Sequence, residues 1–142
     1  MITPSLTQDF IDAAEASLAA LYPARLFDQG LQDPATLGDA KCRQGVYTLI
    51  PTGKRDWADH RGREGQDGTL GFVIVGYGRV DDNATPREVI KNEAEMEAEL
   101  LAWFQAIKPE PLDAVYPDDV VYSRGFDFPY TWIVLSARAL YL

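Results

Sequence analysis

Residues 70–81 read LGFVIVGYGRVD. The run Phe72-Val73-Ile74-Val75 is apolar and rich in β-branched residues, which is the composition of a buried strand. It flows into Gly76-Tyr77-Gly78, and a strand followed by Gly-x-Gly can open a dinucleotide site. That fingerprint needs a third glycine three positions after the second, where this chain carries Asp81. It also needs the glycine turn to run straight into a helix, whose N-terminus holds the pyrophosphate. Here the next helix signal is Thr85-Pro86, and the intervening Asp81-Asp82 would repel phosphate. The nucleotide-binding reading is therefore set aside. Gly76 and Gly78 share one strand face with Phe72 and Ile74, where missing side chains permit a bend, a bulge or a close neighbour. The expected neighbour is a bulky side chain of the helix that follows, Trp103 or Phe104.

On the N-terminal side of this strand, residues 45–50, GVYTLI, predict a partner strand that Pro51 closes. The two strands, 45–50 and 69–80, form a hairpin with a long tip at 51–69, PTGKRDWADHRGREGQDGT. That tip holds four glycines and eight charges with no periodicity, the pattern of a long functional loop. On the C-terminal side, Thr85 can cap a helix, Pro86 suits its first position and Glu88 completes a capping box. Val89, Glu93, Met96, Leu100, Trp103, Phe104 and Ile107 recur on one face, and Pro109 stops the helix near 107.

Farther out, Leu6, Phe10, Ala13, Ser17 and Leu21, with Ala14 and Leu18 beside them, predict a first helix over 5–21, ended by Pro23. Residues 23–44 read as loop with a short strand near 24–27. Residues 109–118 read as an extended connector. Asp119–Arg124 and Thr131–Tyr141 form a second hairpin around the turn GFDFPY. The expected fold class is α+β: two helices packed on one antiparallel sheet, in the order helix, hairpin, helix, hairpin, as a single domain over 1–142.

The totals suit such a domain. The chain has 142 residues, 46% hydrophobic and 25% charged, enough to build a core. A net charge of −9 argues against direct nucleic-acid binding, which depends on neutralising phosphates. One cysteine, Cys42, excludes a disulfide framework within the chain. No apolar run approaches the ~18 residues of a membrane span, and the N-terminus has no signal-peptide pattern.

Signals for catalysis or metal binding are weak. Glu93, Glu95, Glu97 and Glu99 alternate on one helix, so only Glu93 with Glu97 and Glu95 with Glu99 share faces. No histidine follows a glutamate at the spacing of helical carboxylate metal sites, and a solvated acidic face is expected. Glu93 alone lies on the apolar stripe, where it could meet a base at an interface. His60, the single histidine, and Cys42 have no oxyanion-hole signature with them. The expectation is a chain without enzymatic activity, metal or cofactor.

Charge is distributed unevenly. Residues 41–79 carry +3 and the remainder −12. The first hairpin reads as a positive arm on a negative body, suited to head-to-tail contact between copies. Within its tip, Lys54, Arg55, Trp57, Arg61 and Arg63 are the candidate interface residues, an aromatic anchor among bases.

Several stretches together carry a resemblance: the opening helix, GVYTLIP, GKRDWADHRGREG, GTLGFVIVGYG, EAEMEAELLAWFQAI and TWIVLSARALYL. In order and texture they resemble the tail terminators, or tail-completion proteins, of long-tailed bacteriophages, of the minor tail protein U type. The resemblance implies a small α+β virion protein without a cofactor. It implies a ring, of six copies in that family, that caps the tail tube and joins it to the head connector. The partners would be itself and tail-tube or head-connector proteins, in the virion or, during assembly, in the bacterial cytoplasm. Two other readings stand beside it: a monomeric protein-binding adaptor of a bacterial host, and a small enzyme built around Cys42, His60 and Tyr77.

Overall fold

The computed structural model describes residues 4–30, 32–55, 68–107 and 114–141. The elements are α1 (Pro4–Leu21), β1 (Leu26–Gln29), α2 (Pro34–Leu37), α3 (Asp39–Gln44), β2 (Val46–Arg55), β3 (Gly68–Arg79), α4 (Pro86–Ala106), β4 (Ala114–Tyr122) and β5 (Tyr130–Tyr141). The fold is α+β. The five strands form one sheet in the order β1-β2-β3-β5-β4. β2 pairs with β3, β3 with β5 and β4 with β5, all antiparallel.

The sheet is mixed, which corrects the expectation of a purely antiparallel one. β1 pairs parallel to β2, from Leu26 opposite Val46 to Gln29 opposite Leu49. A parallel neighbour needs a crossover rather than a tight turn. The two short helices α2 and α3 supply it, in the stretch read from sequence as loop. They also break the expected order and bring the helical segments to more than two.

Two prolines expected outside strands lie within them. β2 runs through Pro51 to Arg55, with its register shifting between Pro51 and Gly53. β1 ends opposite Leu49, so beyond that point one side of β2 has no β1 residue to pair with, and the missing proline N–H costs nothing there. Pro117 sits in the edge strand β4, beside a second irregularity between Pro117 and Asp119.

One sheet face carries both long helices. Phe10, Ile11, Ala14 and Leu18 of α1 and Met96, Leu100 and Trp103 of α4 are buried with Tyr47, Leu49, Phe72, Ile74, Ile133 and Leu135 of the sheet. In α1 the buried stripe is turned toward Ile11, while Ala13 and Leu21 are exposed. Contact with α4 helps set this orientation: the Trp103 indole donates to the Ser17 hydroxyl at 2.6 Å. On the opposite face, Leu26 and Leu37 pack against Val46, Val75 and Tyr77.

α4 begins as its sequence dictates. The Thr85 hydroxyl accepts from the Glu88 N–H at 3.3 Å, and the Glu88 carboxylate accepts from the Thr85 N–H at 3.1 Å. The buried residues Val89, Glu93, Met96, Leu100 and Trp103 all lie on the expected stripe.

The glycine pair is packed under α4, though not by Trp103 or Phe104. A Cβ at Gly76 would stand 3.1 Å from the Met96 sulfur, 3.1 Å from the Tyr47 ring and 3.3 Å from Ile133. At Gly78 it would meet the side-chain oxygens of Thr131 and Asn92 at 2.5 and 2.6 Å. The helix rises ~1.5 Å per residue, so Trp103 and Phe104 lie roughly 10 Å beyond Met96. Phe104 there stacks near Phe72, ring centroids 6.4 Å apart.

Candidate functional site

Among the described residues, a well-formed concave surface lies between the N-terminal half of α4 and the turn joining β4 to β5. The turn is held tightly. Arg124 and Gly125 take positive φ values of 59° and 78°, which reverses the chain within a few residues. The N–H groups of Phe126, Phe128 and Tyr130 donate to the carbonyls of Ser123, Gly125 and Asp127. Asp127 also accepts from the Trp132 indole at 2.6 Å.

Glu93 fastens this turn to the helix. Its side chain is buried, and one carboxylate oxygen accepts from the Ser123 hydroxyl, the Ser123 N–H at 3.3 Å and the Trp132 N–H at 3.2 Å. The stripe glutamate thus meets hydroxyl and backbone donors of its own chain. One turn later Glu97 accepts from the Tyr122 hydroxyl at 2.7 Å, a bond that raises the pKa of this phenol.

Between helix and turn remains a groove of about 780 Å³. Pro86, Val89, Ile90 and Ala94 form one wall, and Tyr122 and Phe128 the other. Glu97 and Arg124 supply one charge of each sign. Ile90 is 67% exposed, and Phe126, beside the groove on the turn, is 82% exposed. Clustered exposed apolar side chains of this kind mark interaction surfaces. A shallower concavity of about 450 Å³ lies on the other sheet face, lined by Tyr77, Tyr130, Trp132 and Val134 with Asp33 and Asp127.

Several other charged groups are paired within the fold. Arg25 donates through two nitrogens to Glu99, which also accepts from the Tyr47 hydroxyl at 3.1 Å. Burial, reinforced by Glu99, pushes the Tyr47 phenol far up. Arg79 reaches Asp82 at 2.8 Å and Asp39 at 3.3 Å, and Arg43 reaches Asp81 at 2.7 Å.

These pairs change the charge reading. Arg79 and Arg43 stand near the end of β3 and the start of β2, and Lys41 lies in α3 just before β2. That end of the β2–β3 ladder is opposite the hairpin tip. The stretch 51–69 carries four bases and four acids, so the tip is balanced and not positive. Of the candidate interface residues, Lys54 and Arg55 lie on the last turnward positions of β2, with side chains outside the description. Trp57, Arg61 and Arg63 fall outside the described residues.

The groups proposed for an enzyme have other occupations. Cys42 is buried, its thiol pKa raised chiefly by burial, and buried thiols of this kind are inert. The Tyr77 hydroxyl donates to the Gln32 carbonyl at 2.8 Å. His60 lies outside the described residues. Among the described residues, no group of three or more His, Cys, Asp or Glu is placed to hold a metal ion, and no helix is long and apolar enough to cross a membrane.

No protein-family model matches the chain, and no curated protein matches it. A solved structure does, a chain from a "Virion of native gene transfer agent (GTA) particle", with a TM-score of 0.55 over 98% of both chains. The fold resembles that of a virion chain. The two sequences are 16% identical, so the likeness is one of fold. It spans nearly the full length of each and includes the elements that build the groove.

The groove itself was missed in the sequence. Its traces are there: Ile90 interrupts the polar side of α4, and Phe126 and Phe128 stand in a turn where polar residues are the rule. Only folding brings these two segments together.

Proposed function

We propose that the chain is a non-enzymatic virion assembly protein of the tail-terminator type. It would form a ring on the finished tail tube, stop its growth and offer a surface to the head connector. The observation that carries this reading is the end-to-end fold likeness to a chain of a gene transfer agent virion. The exposed apolar groove supports it as a surface for a partner.

The test is electron microscopy of particles made by a producing strain with the gene deleted. Tubes of uncontrolled length, or heads and tails left apart, are expected, with rescue by the wild-type gene. Normal joined particles in the deletion strain would refute the reading. The groove would equally suit a monomeric adaptor of a bacterial host. Tail-tube or tape-measure genes beside this one favour the virion reading, and their absence favours the adaptor.

A further inference from the structure

The groove beside α4 has an occupant of suitable chemistry within the same sequence, at the other end of the sheet. Residues 56–67 connect Arg55 of β2 to Gly68 of β3, and Arg55 pairs with Thr69. At that end β3 also pairs with the C-terminal end of β5, Gly68 opposite Tyr141. The groove is built at the opposite end, where Arg79 pairs with Tyr130 and the β4–β5 turn meets the start of α4. The near side of the groove is Tyr122, level through Ile133 with Gly76, eight residues from Gly68 and so roughly 27 Å away at ~3.4 Å per residue. A twelve-residue segment anchored at both ends reaches at most ~20 Å, six residues out and six back. A chain cannot place this segment in its own groove; only a second copy can.

The compositions match. Trp57 is the single large apolar residue between Pro51 and Leu70, and Arg55, Asp56 and Asp59 flank it. The groove offers an apolar floor and exposed Ile90 and Phe128, with Glu97 and Arg124 as one acid and one base. An aromatic anchor entering an apolar pocket, with a charge of either sign finding its opposite at the rim, is the composition of an interface hot spot. We infer that segment 54–63 of one copy docks in the α4 groove of the next, Trp57 first. This rests on the assembly reading above and names the surface that receives the neighbour. The contact joins unlike surfaces, so it propagates head to tail and closes into a ring or runs on as a filament.

The test uses the full chain carrying Ala58→Cys and Ile90→Cys together, treated with a short bis-maleimide. Position 58 adjoins the anchor, and Ile90 is exposed, so the fold should tolerate both changes; circular dichroism checks this. The double variant is expected to give a ladder of trimers and larger species, while either single variant stops at dimers. Adding Trp57→Ala should cut the ladder at least about tenfold, the loss typical of a hot-spot anchor. Two results would overturn the groove assignment while leaving assembly intact. One is a double variant that stops at dimers although light scattering shows larger oligomers. The other is a ladder unchanged by Trp57→Ala. A protein monomeric at every concentration and giving no ladder would overturn the ring reading as well.

Discussion

Replacing Glu93 by alanine tests the link between helix and turn on which the groove depends. Three donors converge on this carboxylate: the Ser123 hydroxyl, the Ser123 N–H and the Trp132 N–H. The Ser123 N–H keeps a partner, since it also donates to the Trp132 carbonyl at 3.1 Å. The other two lose a charged acceptor. Hydrogen bonds to charged groups contribute about 1.5–3 kcal/mol each, so the two together amount to about 3–6 kcal/mol. A domain of 142 residues is stabilised by roughly 7–20 kcal/mol, so the loss is large without being fatal. Urea unfolding followed by tryptophan fluorescence should show the midpoint falling by about 1.5–3 M, for a slope of ~2 kcal/mol per M. Glu93→Gln keeps a neutral acceptor and should lose about half as much. If the alanine variant unfolds within about 1 kcal/mol of wild type, the carboxylate is not what fastens the turn. Equal losses in the two variants would show that charge plays no part.

Three further outcomes are expected. Gly76→Val should cost about 1–3 kcal/mol in the same assay, because Met96, Tyr47 and Ile133 already stand at 3.1–3.3 Å from the site of a first carbon. Tyr47→Phe should flatten the alkaline limb of the stability curve. The folded phenol has its pKa raised by burial, so its contribution is complete below the unfolded value near ~10 and is lost as pH climbs above it; an unchanged slope in stability measured from pH 9 to 11 would contradict this. Thr48→Val should raise stability by about 1 kcal/mol, because the buried Thr48 hydroxyl has no hydrogen-bond partner among the described residues and valine keeps its shape; calorimetry showing a lower melting temperature would count against it.

Much of the fold was legible in the sequence because it rests on local signals. Thr85-Pro86 and Glu88 start α4 by capping chemistry that involves only neighbouring residues. The stripe from Val89 to Trp103 reads its buried face from the period of the helix alone. Where a partner decides the outcome, the reading failed. Pro51 looked like a strand end because proline cannot donate to a neighbouring strand. It is tolerated because β1 stops short of it. The short helices α2 and α3 carry no long periodic pattern, and they matter because the parallel pairing of β1 with β2 requires a crossover. The positive arm dissolved for the same reason: Arg43 and Arg79 are near the hairpin tip only in a charge count, and the ladder puts them at its other end.

By itself the sequence determined that Gly76-Tyr77-Gly78 does not open a nucleotide site. A missing third glycine and a late helix are facts of spacing, and no tertiary contact can supply them. It also determined which residues of α4 would be buried, because one face of a helix is set by its period. The tertiary structure alone decided what covers the glycines, and it chose Met96 and Asn92, because helix and strand advance by different distances per residue. It alone made the groove, by bringing the turn at 123–129 against Ile90 and Ala94, some thirty residues earlier in the chain. It alone put the hairpin tip and that groove at opposite ends of one sheet, because strand pairing fixes direction as well as neighbours.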